Sequence, residues 1–296
     1  MLAIARYALK SPTHAATMVG VLAILSLILP FISVLSGAIV GLIILTQGLY
    51  SGARVILISI VGISIVSYLV LQSAGLGITI GLVQWLPIMV LAEVLRRTHS
   101  MSLTIVAGMV LAMLLVIAQY LFWPEGEKYL MLILQQVLQG AEQSGTDMQA
   151  MQEVLEKMMH LTVILLVAVM YSTFIATLMI SRWFQSKLAG SEGYREEFYA
   201  IRLGQATAGS GFILIALAML FQQDWLIAMM LVYLAAFLYQ GLAIAHSWNA
   251  SKKGKTITWL ALLYVMMIII PQVLGFISML GVIDNWMDFR KKLKVS

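Results

Sequence analysis

The chain has no cysteine among its 296 residues, which excludes disulfides, thiolate metal sites and cysteine nucleophiles without specifying a redox compartment. Histidine is almost as scarce. His14, His99, His160 and His246 all fall at the ends of apolar segments, at both ends of those segments, so they do not converge as one ligand set. Zinc chemistry is not expected. Charge is the third shortage: ten per cent of the residues are Asp, Glu, Lys or Arg, against about a quarter in an ordinary soluble domain. Water is therefore not the solvent for most of this surface. The formal surplus of +5 sits in short loops between apolar runs, a distribution that membrane topology imposes, and no nucleic-acid partner is implied.

Nucleotide chemistry also lacks its motif. "KKGKT" at 252–256 resembles the end of a phosphate-binding loop, but the first glycine would have to stand at Asn249 and no strand precedes it. ATP-driven work would need a partner chain. No Ser/His/Asp set or other catalytic dyad lies within one membrane face, so no catalytic residue, cofactor or metal is assigned and an enzyme is not expected. The twenty methionines read as adaptable apolar filler rather than copper ligands.

What the chain has in abundance is apolar length: 61% of its residues are hydrophobic. A crossing helix needs about 20 such residues, because a hydrocarbon layer about 30 Å thick is spanned at about 1.5 Å per residue. Nine apolar segments emerge, at 15–29, 32–50, 53–71, 76–95, 102–122, 160–181, 207–221, 225–245 and 257–283. Pro30 divides the first two, which are short or tilted. The expected fold is all-α, a polytopic bundle of eight or nine membrane segments with amphipathic interfacial helices. It forms a single domain over 1–296, since no repeat or low-complexity linker divides the chain.

With alternating segments, one side collects Arg6, Lys10, Arg54, Arg96, Arg97, Arg182, Lys187, Arg195, Arg202, Lys252, Lys253 and Lys255, and the other only Lys128 and Lys157. The first side, with the N-terminus, is the cytoplasmic one. Residues 2–10 form an amphipathic lead-in on that face. The 123–159 loop then lies outside; 129–138 reads as an amphipathic helix, and Thr146 with Gln149 forms a capping box for a sixth helix running unbroken to 181. Nine crossings would leave Arg290, Lys291, Lys292 and Lys294 outside. Two placements stay open: a plain ninth crossing, or a segment broken near Pro271 and Gly275 that returns to the cytoplasmic side.

Three glycine pairs at spacing four, Gly37/Gly41, Gly48/Gly52 and Gly77/Gly81, predict close helix approach. Glu93 stands three and four residues before Arg96 and Arg97 and pairs on its own helix. Asp284 and Asp288, followed by basic residues, read as a solvated, charge-balanced helix end. Tyr68, Gln84, Trp85, Gln119 and Tyr171 are polar at mid-span, hence either structural hydrogen-bonding groups or contacts for a small-molecule ligand. In 182–206, a cytoplasmic amphipathic loop, Tyr194, Phe198 and Ile201 form an apolar stripe that can enter the membrane interface. That placement leaves Glu196 and Glu197 towards water and Arg202 towards lipid phosphates or a nearby acid. Tyr194, Glu197, Phe198, Ile201 and Arg202 are the candidate contact residues for a cytoplasmic or membrane protein partner.

"YREEFYAIRLG" and "GVIDNWMDFRKKL", with "TQGLYSGARV" and "LPIMVLAEVLRR", resemble the YybS-like family of bacterial membrane proteins, which carry a domain of unknown function. The helix layout of that family is in turn similar to that of the substrate-binding subunits of energy-coupling factor transporters. The resemblance implies a bacterial inner-membrane location and a small-molecule-binding subunit without its own ATPase, with the ligand in the outer half of the bundle. Those subunits use paired alanines at spacing four on their first helix to meet a coupling protein; here the pair is Ala16 and Gly20. The alternative is a non-transporting scaffold or interaction protein of the cell envelope.

Overall fold

The structure is a computed structural model that describes residues 2–122, 132, 148–251 and 257–294. Every regular element among them is a helix. The lead-in α1 (Leu2–Ala8) buries Ala5 and Ala8 and turns Arg6 outward. Helix α2 (Pro12–Leu25) starts where Ser11 accepts a hydrogen bond from the His14 N–H and Pro12 occupies the first turn, where a missing N–H costs nothing. It ends before the turn that contains Pro30, and α3 (Ile32–Gln47) follows. Gly48, at φ 90°, permits the sharp turn into α4 (Leu49–Leu71). Then come α5 (Ala74–Thr98) and α6 (Met101–Phe122). The described part of the second half contains α7 (Met148–Leu188), α8 (Gly193–Tyr199), α9 (Gln205–Phe221), α10 (Asp224–Ser251), α11 (Ile257–Ile269), α12 (Gln272–Met287) and α13 (Phe289–Lys294).

Five helices are long and apolar enough to cross a membrane: α4, α5, α6, α10 and the Lys157–Leu188 part of α7. The pair α11–α12 makes a sixth only if it counts as one span. Eight or nine crossings are reached only by including α2, α3 and α9, whose 14, 16 and 17 residues extend about 21–26 Å, short of the hydrocarbon layer. Helix α7, at 41 residues, is about 61 Å long and overshoots that layer twofold. It is one unbroken helix through residue 181, as expected from sequence. Thr146 and almost all of the 129–138 segment lie outside the described residues.

Two helices act as hubs. Every residue of α3 from Ser36 to Leu45 is buried, as expected of a helix that is apolar all round, and it packs against α2, α4, α5 and α7. In the second half α10 packs against α6, α7, α9 and α12. Glycine sets the close approaches. A Cβ on Gly37 would meet Thr177 Cγ2 at 2.9 Å, and one on Gly41 would collide with Ser181, so this pair seats α3 on α7. A Cβ on Gly77 would meet the Ser64 backbone at 2.5 Å. Gly48 belongs to a turn rather than a helix face. A further close crossing, α10 on α12, has no spacing-four signature: Gly241 faces the Ile277 carbonyl and Gly281 the Phe237 carbonyl.

The helix termini and turns at one end of the bundle carry Arg54, Arg96, Arg97, Lys187, Arg195 and Arg202 and are tied to one another. Gln185 donates to the Leu45 carbonyl at 2.9 Å and Ser102 Oγ accepts from the Arg202 N–H at 3.0 Å. This is the basic end. The last apolar segment breaks at Pro271 and turns by 120° between α11 and α12, which brings Asp284, Asp288 and Arg290 back to that end beside Arg202. Of the two placements open from sequence, the structure has the returning one.

Candidate functional site

A cavity of about 750 Å³ opens at the basic end, between α7, α8, α10 and α11. Its α7 wall runs from Ala176 to Lys187, about 16 Å along the helix axis. The inner end is apolar, with Ala176, Met179 and Ile180. Its middle is aromatic. The Tyr239 hydroxyl donates to the Ser172 carbonyl, and His246 Nε2 shares a hydrogen bond of 2.8 Å with the Tyr264 hydroxyl. Phe198 meets the His246 ring edge-on at 5.4 Å. The mouth carries Lys187, Glu192, Arg195 and Glu196.

Helix α8 is the wall that closes this space, and its position is specified by contacts at both ends. On the α7 side, Arg182 donates to Glu197 at 2.9 Å and to Gln185 at 2.7 Å, and the Ser191 N–H returns to the Ser186 carbonyl at 3.0 Å. On the far side the helix gives way to the irregular stretch 201–204, and side chains from other elements supply partners for the backbone around it. Arg290 donates to the Tyr199 and Ile201 carbonyls, both at 2.6 Å. Gln240 accepts from the Leu203 N–H at 2.9 Å and Asn285 from the Gly204 N–H at 3.1 Å.

At the centre of this clamp is Asp284, which is completely buried. It accepts from Arg290 at 3.1 Å, from Gln240 at 3.2 Å and from the Phe289 N–H at 3.0 Å, and Arg202 stands 3.8 Å away. The solvated acid expected at 284 is thus corrected: the 120° turn folds the helix end inward, and only a cation and several donors make its burial tolerable. Asp288 is the outer member, paired with Arg202 at 2.6 Å and Lys291 at 3.1 Å. Hydrogen bonds from Lys291 and then Arg202 hold its carboxyl below the usual range. Burial, opposed by Asp284, pulls the Arg290 guanidinium below its ordinary value.

The residues expected at a partner surface are largely engaged within the chain. Ile201 is buried, and Tyr194 and Phe198 pack against the core rather than standing clear of it. Glu197 turns inward, against the expectation of a water-facing carboxylate, because Arg182 is within reach on α7. Arg202 takes the nearby acid, and Glu196 is exposed. Burial, with the Glu197 carboxylate as the next cause, pushes the Tyr194 phenol up to about 12, so it stays a neutral donor at physiological pH.

The five mid-span residues do not share a site. Gln119 and Tyr171 line a second cavity of about 550 Å³ between α5, α6 and α7, but its other walls are almost wholly apolar, and the Tyr171 hydroxyl donates to the Ile105 carbonyl at 2.9 Å. Gln84 donates to the Ser33 carbonyl at 2.8 Å and the buried Trp85 to Ser36 Oγ at 3.1 Å, so both join α5 to α3. Tyr68 is 54% exposed on α4 and lines neither cavity. Sequence reading missed Tyr239, His246 and Tyr264. Tyr239 and Tyr264 are polar groups within apolar segments and His246 stands at the end of one, and no local pattern reveals that these segments are adjacent. Among the described residues no group of three or more His, Asp or Glu is placed to hold a metal ion.

Crossing helices of lipid-facing composition around a ligand-sized, partly polar cavity define a multi-pass helical membrane protein. The chain belongs to the family described as "Predicted membrane protein (DUF2232)", which matches residues 17–285. No curated protein and no solved structure matches it.

Proposed function

We propose that this protein binds a small molecule in the cavity at its basic end and does not transform it. The observation that supports this reading is the cavity itself: about 750 Å³, within the range of ligand sites, with hydroxyl, imidazole and charged groups converging on an aromatic interior. A scaffold needs only a filled bundle. The apolar cavity that holds Gln119 and Tyr171 lies nearer the other end and offers few groups to orient a ligand, so the basic end is the preferred site over the outer half. By the distribution of its cations, the basic end faces the cytoplasm of a bacterial inner membrane. A role as the substrate-binding subunit of a transporter, with energy from separate chains, is the finer form of this reading. It rests on the helix layout that the YybS-like resemblance implies.

The test is a cavity-filling substitution, Ala176→Trp. The full chain is purified in mild detergent and its extracted small molecules are compared with those of the variant by mass spectrometry. A species held by the parent and lost from a variant of equal helicity is the expected result. An identical extract from both proteins overturns the proposal.

A further inference from the structure

The lining of the cavity changes along its length in a way that specifies the class of ligand. About 16 Å separates Ala176 from Lys187 along α7; the inner end of this wall is apolar and the outer end is charged. The side wall is incomplete. Helix α11 contributes Tyr264 and packs against α10 and α12, but has no comparable packing against α7 or α8. Leu262, Val265, Ile268 and Ile269 on α11 are exposed, which in a membrane protein means facing acyl chains. The gap between α7 and α11 therefore opens sideways into lipid, and a ligand entering there is itself a component of the bilayer.

The charges at the mouth define its polar end. Lys187, Arg195, Glu192 and Glu196 all line the opening, all are exposed, and none forms an ion pair among the described residues. Every other described arginine of the 182–202 and 284–290 clamp is paired with an acid. Two cations and two carboxylates at one opening, none paired with another, match a headgroup that carries both signs. Tyr194 also lines the cavity, and its hydroxyl, with no hydrogen-bond partner among the described residues, is available to donate to a ligand oxygen such as a glycerolipid ester carbonyl.

We infer that the cavity receives one phospholipid with a zwitterionic phosphate–ammonium headgroup, of the phosphatidylethanolamine class. Its phosphate lies against Lys187 and Arg195 and its ammonium against Glu192 and Glu196. One acyl chain follows the apolar wall towards Ala176, and the other leaves through the gap beside α11. This inference rests on the cavity reading above and narrows it to a ligand.

The test uses the full chain, delipidated in detergent and titrated separately with dioleoyl phosphatidylethanolamine, dioleoyl phosphatidylglycerol and soluble phosphoethanolamine, with bound molecules counted by native mass spectrometry. The expected result is one retained phosphatidylethanolamine, favoured over phosphatidylglycerol by about tenfold, with affinity reduced about fivefold by Lys187→Ala and again by Glu196→Gln. Both rim residues are exposed, so these variants leave the fold intact. Equal retention of the two lipids, insensitive to the rim variants, means annular lipid only and overturns the inference. So does phosphoethanolamine binding as tightly as the lipid, which would make the site one for a soluble headgroup. Lipid binding that is lost in Ala176→Trp but shows no headgroup preference overturns the zwitterion assignment alone and leaves the cavity reading standing. Phosphatidylethanolamine held equally by parent and Ala176→Trp overturns both.

Discussion

Two ionic groups stand at the same end of this bundle and are built on opposite plans. Glu93 pairs with Arg96 and Arg97, three and four residues along its own helix, at 2.7 Å for Arg96; those guanidinium side chains are 39% and 70% exposed. Asp284 is buried and draws on Arg290 from beyond the helix end, Arg202 from 82 residues earlier and Gln240 from the neighbouring α10. The first group is closed within one helix, its largely buried carboxylate covered by two more exposed guanidinium groups. The second holds a loop with no regular structure of its own, and through it the α8 wall of the cavity. Distance along the chain separates decoration from architecture here: a pair within one helix constrains nothing else, whereas a cluster drawn from three segments constrains all of them.

That difference should be visible as a difference in cost. Replacing Arg290 with Met leaves Asp284 buried beside an incomplete set of donors and frees the Tyr199 and Ile201 carbonyls. The expected loss is about 3–5 kcal/mol, read as a lowered thermal unfolding midpoint in detergent. Adding Asp284→Leu to that variant should recover much of the loss, because an absent pair costs far less than a broken one. If Arg290→Met costs no more than a surface substitution, the two groups are not different in kind. Gly281→Val comes next. It places side-chain carbon against the Phe237 carbonyl at the α10–α12 crossing, and overpacking of this sort costs about 1–3 kcal/mol. Since the crossing positions Asp284, protease cleavage within 199–204 should accelerate in parallel.

Arg97→Ala, on the exposed side of the first group, should change stability by less than about 1 kcal/mol; a larger loss would mean that Glu93 serves something beyond its own helix. The smallest effect is expected from acid. The folded carboxyl of Asp288 sits below its ordinary value of 3.8, so its pairing with Arg202 and Lys291 is fully present above that value and is lost as pH falls through the lower, folded one. A spin label on the tail should gain mobility only below about pH 4, and release at neutral pH would contradict the pairing.

The same comparison shows what local pattern conveys. Glu93 and its arginines are legible because a helix brings residues three and four apart together whatever surrounds it. The break at Pro271 is legible as a break, but its angle is not. Asp284 resembles a solvated helix end in one dimension, since "DNWMDFRKK" is what such an end contains; the 120° return alone makes it a core residue. Among the mid-span polar residues, Gln84 and Trp85 could be picked out as groups in need of partners, but the partners, Ser33 and Ser36, lie about fifty positions away. The cavity was the least legible feature, because Ala176, Tyr239 and Tyr264 are brought to one space by three separate segments.

By itself the sequence determined the solvent of this protein, its all-helical character, most helix limits and the end at which its cations gather. These follow from the length and polarity of contiguous runs, and a helix satisfies its own backbone wherever lipid surrounds it. Which face of each helix meets another was decided only by tertiary structure. Hydrocarbon tails and a leucine-rich core are equally apolar, so no hydrophobic stripe distinguishes the inside of this bundle from the outside. Close packing at Gly241 and Gly281, a handful of long-range hydrogen bonds and the buried Asp284 make that distinction instead.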